Sequence, residues 1–234
     1  MSTQGILHGG PRPPLPGTHE LAGAGGAVEP RPSGTPPLKL VAFLVCLAPC
    51  VRLAWLAATG GLGANPIEFV TRSTGTWTLV LLIATLALSL LRRLPGLGNL
   101  GALGRMLGLY VFFYATLHFL AYVWLDQFFD LGAILRDIAE RPFITLGFAS
   151  FVLLIPLAAT SNAGMRNRLG KRWHQLHLLI YPIAIGGVVH YWWLVKKDIT
   201  QPAIYAAILA VLLAHRLIVW RAKQAAETRG AEKP

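Results

Sequence analysis

The sequence predicts an all-α membrane protein: a bundle of six transmembrane helices with both termini in the cytoplasm. Three observations predict it. Hydrophobic residues make up 54% of the chain and charged residues 13%, with a mean hydropathy of +0.54, more than a water-exposed surface tolerates. The apolar residues gather into six runs, near 38–58, 74–91, 104–125, 142–160, 174–195 and 202–220. The basic residues gather at alternate connections between those runs.

Each run holds about 18–22 residues, enough for a helix to cross a hydrocarbon layer about 30 Å thick. Barrel strands would be half as long and would alternate in polarity, which these runs do not. Before the first run, residues 1–37 are crowded with Pro and Gly. Such a stretch buries no core and reads as a disordered extension. It lacks the apolar run and cleavage site of a signal peptide. After the sixth run, residues 221–234 read as a basic cytoplasmic tail.

Lys and Arg set the orientation. Arg12, Arg31 and Lys39 lie in the N-terminal segment up to the start of the first span; Arg92, Arg93 and Arg105 lie from the end of the second to the start of the third. Arg166, Arg168, Lys171 and Arg172 lie between the fourth and fifth, and Arg221, Lys223, Arg229 and Lys233 follow the sixth. The other side has Arg72, Arg136, Arg141, Lys196 and Lys197 against Glu68, Asp126, Asp130, Asp137, Glu140 and Asp198. The positive-inside rule places the first set in the cytoplasm. Trp124, Tyr191, Trp192 and Trp193 then form an outer aromatic belt, with Trp173 and Trp220 at the inner interface. The net charge of +11 is therefore a topology signal, and nucleic acid is excluded as a partner: the bases flank apolar spans instead of lining one polar face.

Chemistry rests on histidines inside the spans. An imidazole in hydrocarbon is costly and takes a partner; for facing imidazoles that partner is haem iron. His177 and His190 lie thirteen residues apart on the fifth span, which at helical rise is about 20 Å in depth. The third and fifth spans both run outward, so His118 and His190 share a level about 7–10 Å below the outer interface. They can clamp one haem between facing helices, a usual place for a cofactor in a bundle. His177 lies deeper and suits a second haem, but no second ligand is assigned; Arg105 stands thirteen residues before His118, and His174, Met106 and His215 are candidate neighbours. His215 reads as packing or interfacial, and His174 as a residue of the membrane edge. Arg52 reads as snorkelling to the interface, with a haem propionate as its alternative partner. Cys46 and Cys50 read as small packing residues. No Cys-x-x-Cys-His occurs, so the haem is held without covalent attachment.

Residues 96–101, Gly-Leu-Gly-Asn-Leu-Gly, match G-x-G-x-x-G literally. A dinucleotide fingerprint needs a strand before it and a βαβ unit around it. A membrane helix precedes this one, so it reads as a turn. No nicotinamide or flavin domain is legible, and electrons are expected from another molecule.

Several stretches carry a family resemblance: Gly60-Gly61-Leu62-Gly63-Ala64-Asn65-Pro66 with Thr74-Gly75, Leu91-Arg92-Arg93-Leu94, Arg105-Met106-Leu107-Gly108-Leu109 and Ala115-Thr116-Leu117-His118. Arg141-Pro142-Phe143-Ile144-Thr145-Leu146-Gly147, Thr160-Ser161, Leu169 to His177 and His190-Tyr191 complete the set. Over about residues 38–220 the chain resembles the MsrQ family, the haem-binding membrane subunits of bacterial protein-methionine-sulfoxide reductase systems. The resemblance implies a ferric-reductase-like six-helix domain in the bacterial inner membrane with b-type haem. It implies electrons passed from membrane quinol to a periplasmic MsrP-like molybdoenzyme that repairs oxidised methionine. It also implies an association with FMN. The family's haem histidines fall on His118, His177 and His190. Two alternatives stand beside it: a cytochrome b561-like or ferric-reductase-like oxidoreductase of small substrates, and, ranked last, a non-redox transporter or anchor.

Overall fold

The computed structural model describes residues 36–231, apart from 93, 96 and 196. The extension expected over 1–37 therefore lies, up to residue 35, outside the described residues. Among those described, every regular element is helical. The order is α1 (Pro36–Ala58), α2 (Pro66–Leu91), a 3₁₀ segment (Gly98–Leu103) and α3 (Gly104–Leu120), which runs on as a π-helical turn (Ala121–Asp126). Then come α4 (Leu131–Glu140), α5 (Pro142–Ala159), α6 (Ala163–Leu169), α7 (Lys171–His177), α8 (Ile180–Leu194) and α9 (Thr200–Ala231). Six stretches are long and apolar enough to cross a bilayer: α1, α2, α3 with its π turn, α5, α7 with α8, and α9. The chain is a multi-pass membrane protein.

Helix ends depart from the apolar runs for local reasons. Helix α2 begins at Pro66, well before residue 74. Asn65 caps it by accepting from the Glu68 amide, and Glu68 pairs with Arg72 at 2.7 Å one turn on. Charged residues spaced i,i+4 support a helix past the membrane edge that hydropathy alone would mark. The fifth span is broken at Leu178 and Leu179, between α7 and α8. Helix α9 continues past residue 220, because Arg221 to Thr228 are good helix formers once clear of the bilayer. Residues 126–141, expected as a loop, contain α4, capped by Asp130 accepting from the Ala133 amide. Phe128 and Phe129 before it have φ of 48° and 62°, a left-handed backbone that bulky side chains rarely adopt.

Burial follows membrane logic. The interior holds Leu79, Leu82 and Leu86 of α2, Val111 and Tyr114 of α3, Leu154 and Leu157 of α5, and Ile183, Ala184 and Val188 of α8. Large apolar residues such as Val45, Trp55, Val211 and Ile218 face outward. Lipid is as apolar as these side chains, so close packing and interhelical hydrogen bonds hold the bundle instead. Tyr114 provides the clearest such bond. Its hydroxyl donates to the Cys46 carbonyl at 2.8 Å and accepts from the Cys50 amide at 3.0 Å. The side chain is thus inserted into the α1 ladder beside Pro49, where a helix opens most easily. Cys46 is buried and Cys50 half-buried, both as free thiols, as packing residues.

Helix α2 packs mainly on α3, and α5 on α8. Both pairs are antiparallel: the start of each first helix meets the end of its partner, Thr71 with His118 and Phe143 with His190. One end of the bundle collects residues 59–65, 126–141 and 195–199 and is the acidic end. The other carries Arg92, Arg166, Arg168, Lys171 and Arg172 and is the basic end.

Candidate cofactor site

Histidines from the two helix pairs meet inside the bundle toward its acidic end. The ring centroids of His118 and His190 are 6.2 Å apart, with 79° between the ring planes. Each ring is fixed from behind in the same way. His118 Nδ1 donates to the Thr71 carbonyl at 2.9 Å, and His190 Nδ1 donates to the Phe143 carbonyl at 2.6 Å. A carbonyl only accepts, so Nδ1 carries the hydrogen and Nε2 keeps its lone pair on each ring. A backbone carbonyl holding the far nitrogen is the usual support of a metal-bound imidazole.

Glycines make room for both rings. A Cβ at Gly75 would lie 3.0 Å from His118 Cε1, and one at Gly147 would lie 2.7 Å from His190 Nδ1. Any other residue at 147 would displace the imidazole. Thr74, fully buried, adds its Oγ1 at 3.5 Å from His118 Nδ1 while donating to the Val70 carbonyl.

This donor set fits a metal between the two rings. Imidazole nitrogen binds first-row metals at about 2.0–2.1 Å, so two rings in line across one ion have centroids about 6 Å apart. The observed 6.2 Å matches that spacing. Rings twisted against each other about a common axis also accommodate the angle between their planes. The third histidine lies apart, toward the basic end. His177 Nδ1 donates to the Trp173 carbonyl at 3.0 Å, and the ring stacks on the Trp173 indole at 3.8 Å. That indole donates to the Thr160 carbonyl at 3.0 Å, which ties α7 to the end of α5. His177 Nε2 is buried and has no hydrogen-bond partner among the described residues. A buried nitrogen lone pair without a partner is the signature of a missing ligand or bound group.

Comparison with known proteins gives these features a context. Residues 74–188 match the family described as ferric reductase like transmembrane component. A protein of Ralstonia nicotianae is 53% identical over 86% of this chain and 97% of its own length. One of Herminiimonas arsenicoxydans is 53% identical over 81% of this chain and 88% of its own. One of Bordetella pertussis is 50% identical over 78% and 90%. All three are named protein-methionine-sulfoxide reductase heme-binding subunit MsrQ. The chain belongs to the MsrQ family.

Of the residues singled out in the sequence, the structure brings His118 and His190 together and holds His177 separately. His174 is exposed on α7. His215 and Arg216 line a small hollow with Tyr181, over which the Arg216 guanidinium sits at 5.0 Å. Met106 packs against the core. Arg52 is exposed and lines a cleft between α1 and α2 with Arg72 and Trp77. Neither hollow is lined by His118 or His190. Residues 98–103 form the 3₁₀ segment, so the G-x-G-x-x-G match is a turn; Gly96 lies outside the described residues.

Sequence reading missed the supports. Gly75 and Gly147 stand in the middle of spans, where glycine costs about 1 kcal/mol against alanine. That cost is the signal that something approaches closely. The Thr71 and Phe143 carbonyls gave no signal at all, because a main-chain acceptor leaves no trace in residue type.

Proposed function

We propose that this chain is a haem b membrane electron-transfer subunit. It takes electrons from quinol in the bacterial inner membrane and passes them to a periplasmic molybdenum-dependent protein-methionine-sulfoxide reductase. One observation carries the reading: two half-buried imidazoles from separate helix pairs, each held through Nδ1, lie at the spacing a shared iron requires. His118 and His190 would hold the haem, and His177 would hold a second where its Nε2 is unsatisfied. The haem, when bound, supplies one-electron transfer without bond making.

The protein's part is positional. The Thr71 and Phe143 carbonyls fix the tautomer of each ring, so that the nitrogen aimed inward is the basic one. Gly75 and Gly147 let the helices close until the rings meet. With His118 and His190 both holding it, the haem would serve electron relay and not turnover of a substrate. With both termini in the cytoplasm, the His118–His190 pair lies near the periplasmic face, where a soluble partner collects electrons. The bases at one end of the bundle support this orientation.

An optical spectrum of the purified protein tests the reading. Reduced-minus-oxidised b-type bands are expected, and they should fall sharply in His118→Ala and in His190→Ala. A well-inserted protein that binds no haem would refute it.

A further inference from the structure

We propose that the cleft between α1 and α2 is the seat of the quinol ring. This rests on the reading that quinol is the electron donor. The cleft has a volume of about 510 Å³, large enough for a substituted six-membered ring. Its walls hold two aromatic side chains, Phe69 and Trp77, against which a planar ring stacks. Arg52 offers a guanidinium, and Ser73 and Thr76 offer hydroxyls, as donors to a ring oxygen. Glu68 offers the opposite chemistry. Its carboxylate is oriented by Arg72 at 2.7 Å and by the Asn65 side-chain amide at 3.0 Å, and each oxygen keeps a lone pair to accept from a ring hydroxyl. Donors and an acceptor around an aromatic slot complement a molecule carrying both hydroxyl and carbonyl forms of one ring.

Two further observations favour this ligand. Arg52 lies within α1, two turns from its end, and among the described residues it takes part in no ion pair. Such an arginine reaches toward the interface from near a helix end, and here its exposed guanidinium lines the cleft, free to donate to a ring oxygen. The depth is also right. Ser73, Thr76 and Trp77 lie on one face of α2, while Thr71, Thr74 and Gly75 meet His118 from the opposite face. A single helix, about 10 Å across, separates the cleft from the histidine pair. A phospholipid headgroup needs the cation but neither the aromatic slot nor the proximity to His118.

Photolabelling of the purified haem-loaded protein with an azido-benzoquinone, mapped by peptide mass spectrometry, tests the seat. Label is expected on the segments around Arg52 and residues 69–77, displaced by a short-chain ubiquinone and not by phosphatidylglycerol. Arg52→Ala should weaken displacement by about tenfold or more, and Ser73→Ala by about two- to tenfold, with haem spectrum and elution volume unchanged. Label found elsewhere, or displaced only by phosphatidylglycerol, would overturn the proposal. Haem reduction by ubiquinol on the same samples separates the two layers. Equal rates and half-saturation in the original protein and Arg52→Ala overturn the cleft and leave quinol as donor. A labelled cleft in a protein that ubiquinol cannot reduce supports the seat and overturns the electron route.

Discussion

Glycine 147 offers the sharpest probe of the histidine pair. A Cβ built there lies 2.7 Å from His190 Nδ1 and 2.9 Å from Cε1. Ordinary contact begins near 3.4 Å, so Gly147→Ala requires the imidazole to retreat by about 0.7 Å, beyond the roughly 0.5 Å tolerance of a positioned ligand. The atom pressed is the one bonded to the Phe143 carbonyl at 2.6 Å, so the ring loses its support as it moves. Loss of such a support weakens metal sites about 10–100-fold. Gly75→Ala calls for less, since its Cβ would lie 3.0 Å from His118 Cε1 and needs about 0.4 Å of relief. Gly187→Ala is the control: its nearest neighbour, Leu79 Cδ1, is at 3.7 Å. Haem content and reduced-minus-oxidised spectra should therefore rank Gly187→Ala with the original protein, Gly75→Ala below it and Gly147→Ala lowest. Matching circular dichroism and elution volumes would exclude misfolding. A Gly147→Ala protein with full haem content and unshifted bands would refute the reasoning.

Three other outcomes are expected. His177→Ala should lower the haem-to-protein ratio while the bands of the His118–His190 site persist; an unchanged ratio would show that its free Nε2 holds no haem. Tyr114→Phe removes two of the bonds that stitch α3 to α1, leaving that of Tyr110 to the Phe43 carbonyl, and should cost about 1–3 kcal/mol, measured by unfolding in mixed micelles, with the haem bands unmoved. Asp198 lies outside the spans and accepts from the Thr200 amide at 2.9 Å, and its hydrogen bonds to Thr200 hold its carboxyl below the usual value. A depressed carboxyl stabilises the fold above its unfolded pKa and loses that contribution as pH falls through the lower folded value. Amide exchange at the start of α9 should accelerate over that acid range and be flat with pH in Asp198→Asn.

The parts legible in the sequence were those with a long-range regularity. Six apolar runs fixed the helix count, and helical rise with antiparallel order was enough to put His118 and His190 at one level. The early start of α2 and the helix α4 were not legible, because each depends on a local cap, an ion pair or a strained turn that hydropathy averages away.

One further regularity is a repeat at a fixed offset along the chain. Thr71 to Phe143, Gly75 to Gly147 and His118 to His190 are each 72 residues apart. The α2–α3 pair and the α5–α8 pair thus build the same device twice: a carbonyl, a glycine one turn later, and a histidine that spans both. The two copies then face each other. At the same offset Glu68 matches Glu140, and the run Val80-Leu81-Leu82-Ile83 of α2 matches Val152-Leu153-Leu154-Ile155 of α5. Any residue supplies the carbonyl, only glycine admits the ring, and only histidine offers a fixed far nitrogen with a free near one. In space the two copies bring His118 and His190 together, with 6.2 Å between ring centroids, so that each copy would contribute one imidazole to a group held between them.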